Sequence, residues 1–197
     1  MDPNLLIGLI SFAFVTSITP GPNNLMLLAA GANFGYRRSV PHMLGINLGF
    51  VSLVLAAGLG LAALLIALPA AKTALKIAAV LYMLWLAWKI AHATAPGTGM
   101  APGKPMTLMQ AAAFQWVNPK AWAMALGAVA AYGGDGSPPA IALVALVFCL
   151  VNMPSISAWV LAGEAMRRLL TNPNRLSVFN WTMAALLVLS LWPVLRL

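Results

Sequence analysis

Two short stretches concentrate the polar chemistry of this chain. Thr19-Pro20-Gly21-Pro22-Asn23-Asn24 interrupts one apolar run and Asn118-Pro119-Lys120 interrupts another. Proline has no amide hydrogen, and its ring clashes with the carbonyl one turn back. Pro20 therefore frees the carbonyl of Thr16, Pro22 that of Ile18, and Pro119 that of Gln115. Gly21 lets the chain bend between its two prolines without steric cost. A helix broken in this way offers carbonyls at one half-helix end, which suit an ammonium, and amides at the next, which suit a carboxylate. Asn23, Asn24 and the amides after Pro22 would take the carboxylate, Lys120 would add a full positive charge, and the carbonyls of Thr16 and Ile18 would take the ammonium. A solute lying between the two breaks would meet these groups, with Asn47 and Asn152 completing the polar lining.

The elements that must hold these residues are set by composition. Of 197 residues, 62% are hydrophobic and 7% charged, and the mean hydropathy is +0.91. Soluble domains carry roughly 25% charged residues, so a soluble enzyme is excluded. The net charge of +8 does not mark a nucleic-acid binder, because the basic residues sit between apolar runs rather than in one stripe. Six apolar segments are expected to cross a bilayer: 5–28, 43–68, 71–91, 107–132, 139–161 and 178–195. Continuous apolar runs without period-2 alternation exclude a barrel and leave helices. The fold expected is an all-α polytopic membrane protein. The start Met1-Asp2-Pro3-Asn4 lacks the basic n-region of a cleaved signal peptide and is read as mature sequence.

Arg37, Arg38, Lys89, Lys104, Arg167, Arg168 and Arg175 fall in alternate connections, against Lys72, Lys76 and Arg196 in the others. The positive-inside rule then puts both termini in the periplasm. Trp88, Trp159 and Trp181 are expected near the cytoplasmic ends of spans, as interfacial aromatics. Each broken helix opens a group of three spans: 1–92 is one three-helix repeat, 93–106 a cytoplasmic linker and 107–197 a second repeat. An odd number of spans per half inverts the second against the first, and paired broken helices in such halves point to a transporter's substrate site. The linker stretch Thr98–Pro105 resembles a P-loop poorly, with Thr for the first Gly and Pro for the final Ser/Thr.

Pro20-Gly21-Pro22-Asn23, the glycines Gly31, Gly35, Gly45 and Gly49, and Asn118-Pro119-Lys120 together resemble the LysE/RhtB amino-acid exporters over nearly the whole chain. The resemblance implies proton-driven export of an amino acid across the bacterial inner membrane. It also implies that Pro20, Gly21 and Pro22 shape one break and Asn118, Pro119 and Lys120 the other. The segment from Phe114 through Gln115 to Trp122 is closer to the RhtB branch, which suggests a small neutral substrate such as homoserine, threonine, cysteine or O-acetylserine. No cofactor and no metal are implied, and the partners are the substrate, protons and the lipid bilayer, with a homo-oligomer left open.

Plainer readings stand beside these. Gly45 and Gly49 have the small-xxx-small spacing of close helix packing, and Asn47 and Asn152 could be interhelical glue. Lys120 could carry the coupled proton or only anchor substrate, since the three acids, Asp2, Asp135 and Glu164, all lie near span ends. His42 and His92 do not cluster with acids or with Cys149, which argues against a metal site. The alternatives to an exporter are a passive channel or an accessory membrane subunit; an intramembrane enzyme lacks a midplane His, Asp or Glu.

Overall fold

The computed structural model describes residues 2–61, 69–93 and 104–192. Among them are eight α-helices and no strand. They are α1 (Pro3–Ile18), α2 (Pro22–Phe34), α3 (Tyr36–Ala56), α4 (Pro69–Ala91), α5 (Leu108–Val117), α6 (Pro119–Tyr132), α7 (Pro138–Arg167) and α8 (Pro173–Leu189). Six of the eight begin on proline, whose fixed φ suits a first turn where the missing amide costs nothing. Side-chain caps precede several of them. Asp2 accepts from the Asn4 amide, Asn172 from the Asn174 amide, and Thr107 forms a reciprocal capping box with Gln110.

Three segments are long and apolar enough to cross a bilayer: Tyr36–Leu61, Thr73–Ala91 and Pro138–Arg167. The pair α1–α2, bent by 56° at its break, makes a fourth when taken as one span. The short helices α5 and α6, of 10 and 14 residues, meet at Asn118, and α8 has 17 residues against the ~20 of a straight crossing. Both interruptions expected from the prolines are present: Thr19–Gly21 separates α1 from α2, and Asn118 alone separates α5 from α6. Most of the expected linker, including Thr98-Gly99-Met100-Ala101-Pro102-Gly103 of the P-loop-like stretch, lies outside the described residues.

Two helices outrun the apolar segments read from sequence. The second apolar segment begins at Met43, but α3 begins at Tyr36, and Gly35 alone connects it to α2. Gly35 has φ +78°, a left-handed conformation that glycine tolerates, so the turn needs no loop. Arg37 and Arg38 are thus exposed residues of the first turn of α3, with the Arg38 guanidinium over the Phe34 ring. Likewise α7 continues past Leu161 to Arg167, because polar residues at an interface do not stop a helix that keeps its hydrogen bonds.

The helices are apolar all round, and residues such as Leu48, Leu81, Leu150 and Leu161 lie exposed on the outer surface, as lipid-facing residues do. Inside, association rests on small residues. A Cβ at Gly31 would overlap the Val160 carbonyl of α7, and one at Gly163 would overlap the Leu28 carbonyl of α2. On the other flank, Gly45 and Gly49 of α3 lie against the Leu108 carbonyl and the Ala112 backbone of α5. The spacing read as close packing has that role. As a result α2 packs chiefly on α7, α3 on α5 and α7, and α4 on α8. Pro154 sits within an unbroken α7, as Pro41 does within α3.

Candidate functional site

The two breaks meet. A Cβ on Gly21 would stand 2.6 Å from Lys120 Cδ and 3.1 Å from Nζ, so the lysine stem rests on this glycine. Lys120 Nζ donates to the Thr19 carbonyl at 2.6 Å. One turn further, Asn23 and Gln115 exchange hydrogen bonds of 2.7 and 3.1 Å between their side-chain amides. Gln115 is fully buried and also donates to the Ala111 carbonyl.

At the first break the carbonyl end of α1 is crowded with donors from elsewhere. Asn24 Nδ2 reaches back to the carbonyls of Ser17 (2.8 Å) and Thr19 (2.9 Å), and the Trp159 indole donates to Ile18 at 3.0 Å. The Ile18 carbonyl is the one Pro22 strips of its helical partner, so a tryptophan of α7 supplies what the proline removes. Trp159, expected near the cytoplasmic end of its span, thus has its N–H paired with a backbone carbonyl of α1. Of the two carbonyls assigned to an ammonium, that of Ile18 already has a donor within the protein. Lys120 bonds the Thr19 carbonyl, next to the Ile18 carbonyl assigned to a ligand's ammonium.

The second break is capped locally. Asn118 Oδ1 accepts from the Lys120 amide at 3.1 Å, and the Asn118 amide donates to the Gln115 carbonyl at 3.3 Å. The Trp116 carbonyl, which loses the Lys120 amide to that cap, accepts from the Trp122 indole at 2.7 Å.

Between the breaks lies a cavity of about 30 Å³, about one water's share of the liquid. It is lined by Thr16, Gly21, Asn23, Asn24, Asn118, Lys120 and Asn152 of the residues singled out in sequence. Pro20, Pro22 and Pro119 shape the breaks, Gln115 holds Asn23, and Asn47 ties helices without lining the cavity. Asn152 Nδ2 donates to Asn47 Oδ1 at 3.0 Å, and Asn47 Nδ2 to the Cys149 carbonyl at 3.0 Å. Asn47 therefore fits the glue reading, and Asn152 serves both roles. The Thr16 hydroxyl donates to the Phe12 carbonyl. Sequence reasoning missed Ser17, Ile46, Phe50, Ala121, Met124 and Ile156, which complete the lining. Ser17 could have been found as a hydroxyl one residue from Thr16 before the first proline; the apolar five carry no sequence signal that separates them from other core residues. The Ser17 Oγ is buried with no hydrogen-bond partner among the described residues. Among those residues no cluster of His, Cys, Asp or Glu could hold a metal.

A partly enclosed pocket with a lysine, several side-chain amides and an unpaired hydroxyl has the chemistry to bind a small polar solute; among the described residues no hydroxyl or thiol there is hydrogen-bonded to a base. The wider comparisons agree with that chemistry. Residues 14–190 match the family described as LysE type translocator. The chain is 32% identical over 194 residues to proteins named cysteine/O-acetylserine efflux protein from Escherichia coli (strain K12), Escherichia coli O9:H4 (strain HS) and Shigella sonnei (strain Ss046). Each alignment covers 95% of this chain and 96% of the relative. No solved structure matches. A match over nearly the full length, carried by a chain of apolar helices broken at Pro20-Gly21-Pro22 and Asn118-Pro119, places this protein in the LysE type translocator family of multi-pass membrane proteins.

Proposed function

We propose that this chain is a secondary active exporter of a small neutral amino acid or derivative, with cysteine and O-acetylserine as the first candidates. It works across a bacterial inner membrane, in exchange for protons, and holds its substrate where the two breaks meet. The observation that carries this reading is the Lys120 ammonium on the Thr19 carbonyl. That carbonyl lies at the partially negative end of α1, beside the first amides of α2 at a partially positive end. The break already binds one ammonium, that of its own lysine. A substrate's ammonium competes for the same carbonyl, and the lysine it displaces is free to pair with the substrate's carboxylate. Asn23, Asn24, Asn118 and Asn152 surround that exchange, and Ser17 Oγ offers a further hydrogen bond.

In this reading α1–α2, α3 and α4 form one three-span repeat, and α5–α6, α7 and α8 its inverted partner. The packing supports it. Exchanging the two halves turns the contact of α1–α2 with α7 into that of α5–α6 with α3, and the contacts α3–α7 and α4–α8 turn into themselves. Arg37, Arg38, Lys89, Lys104, Arg167, Arg168 and Arg175 then face the cytoplasm, with both termini in the periplasm. Lys120 is the titratable group within the break, which makes it the proton-carrying candidate in the coupled exchange.

The cavity is several-fold too small for an amino acid, which favours an occluded site that opens over a standing pore. The test is counterflow in proteoliposomes containing the full chain, with labelled O-acetylserine, cysteine, homoserine and threonine. Exchange of one or more against an internal pool, and uphill accumulation under an imposed pH gradient, are expected. Equal flux of unrelated solutes without exchange would establish a pore instead.

A further inference from the structure

The polar groups that border the central cavity divide into those already committed and those still open. Asn23 and Gln115 are spent on each other, and the Ser17 hydroxyl is sealed within the packing. Asn118 is different. It is 1% exposed, and its Oδ1 accepts from the Lys120 amide, which fixes the orientation of its carboxamide. Its Nδ2 then has two hydrogens to give. That nitrogen bonds no described residue and is not sealed, so it opens onto the cavity that Asn118 lines.

Two other carboxamides are open in the opposite sense. Asn24 commits its Nδ2 to the Ser17 and Thr19 carbonyls and keeps an Oδ1 that accepts from no described residue. The Cys149 carbonyl can only accept, so Asn47 turns its Nδ2 to that carbonyl and its Oδ1 to Asn152. Asn152 answers with its Nδ2, which leaves its own Oδ1 without a donor. Neither oxygen is sealed. Asn24, expected from sequence to serve a carboxylate, therefore presents an acceptor instead.

The open groups are sorted by element. Donors stand at the start of α6: Asn118 Nδ2, the hydrogens of Lys120 Nζ not given to Thr19, and the Ala121 amide, which bonds no backbone carbonyl among the described residues. The N-terminus of this 14-residue helix adds partial positive charge on the same side. The acceptors stand on α2 and α7, and no acidic residue borders the cavity. Because both sets border a space of about one water, the two charged ends of one α-amino acid can meet both once that space widens.

We propose that Asn118 Nδ2 is a substrate-binding group that holds the carboxylate together with Lys120, while Asn24 and Asn152 hold the ammonium. A bound amino acid then lies with its carboxylate towards α6 and its ammonium towards α2 and α7. This rests on the exporter reading and deepens it, because the site selects solutes that keep both ends free. A carboxylate seated on Asn118 Nδ2 also draws the Lys120 ammonium off the Thr19 carbonyl. That clears an acceptor for the substrate's own ammonium, beside Asn24 Oδ1.

The test uses the full chain in proteoliposomes and the labelled amino acid that shows counterflow. Three unlabelled inhibitors are compared: that amino acid, its decarboxylated amine and its deaminated acid (for cysteine, cysteamine and 3-mercaptopropionate). In the unmodified chain the amino acid should inhibit at least tenfold better than either analogue. Asn118→Ser keeps a capping oxygen but has no Nδ2. It should weaken the amino acid and the acid about tenfold and spare the amine. Asn152→Ala should weaken the amino acid and the amine and spare the acid. If Asn118→Ser treats all three inhibitors alike, Asn118 is a helix cap only and the proposal is overturned. Equal inhibition by all three in the unmodified chain overturns the sorted pocket and leaves the exporter reading standing. Absence of counterflow with every labelled amino acid overturns the exporter reading and this inference with it.

Discussion

The two breaks solve one problem in opposite ways. Both contain a proline that removes a helical hydrogen bond, yet the break between α1 and α2 draws its replacement donors from α6, α7 and the next turn of α2, while the break at Asn118 is closed by its immediate neighbours. Locally closed, the second break is a stiff bracket that aims one long side chain outward. The first, which depends on distant donors, is the place where partners can be exchanged. In the exporter proposed above, this would divide the labour: the carbonyl end of α1 would receive, and the α5–α6 bracket would deliver a built-in cation to it.

The largest effect that would break this comparison is expected from Lys120→Met. Removing a charge-assisted hydrogen bond of about 1.5–3 kcal/mol should lower counterflow by roughly tenfold to a hundredfold while leaving helical content unchanged. Normal export with normal pH dependence would take Lys120 out of the mechanism. Next is Trp159→Phe. It strands the Ile18 carbonyl and should cost about 1–3 kcal/mol of stability, seen as a lowered melting temperature in detergent. Asn118→Ala removes a local cap worth about 1 kcal/mol and should loosen the bracket, with a smaller melting shift than Trp159→Phe. The reverse order would mean that the second break, not the first, is the dependent one. Gly21→Ala places a methyl 2.6 Å from Lys120 Cδ; the flexible stem can yield, so a few-fold rise in KM with little change in stability is expected.

The smallest effect is at Asp135, in the exposed turn between α6 and α7. Hydrogen bonds from Ser137 hold its carboxyl below the usual carboxylate value. Any contribution it makes is present above the ordinary carboxylate pKa and is lost as pH falls through the lowered folded value. Since the group is fully exposed, Asp135→Asn should leave export and melting temperature unchanged at neutral pH.

What was legible in the sequence and what was not divides along physical lines. Pro20, Pro22 and Pro119 announce their breaks because a missing amide is a property of the residue itself. Gly45 and Gly49 announce a close crossing because their spacing puts them on one helix face. The partners of the freed groups were not legible. That Lys120 reaches the Thr19 carbonyl, or that Trp159 turns inward to Ile18, depends on how α6 and α7 lie against α1. Interfacial preference places a tryptophan near a span end but does not name the acceptor its N–H will find. The helical start at Tyr36 was hidden because hydropathy marks where lipid begins rather than where a helix does.

The contacts at Gly31, Gly163, Gly45 and Gly49 bring backbone against backbone, which leaves little room for a side chain to give way. They fasten α2 to α7 on one flank and α3 to α5 on the other. In the exporter proposed above, widening of the central chamber would have these two clamped couples slide past each other across the Asn47–Asn152 seam.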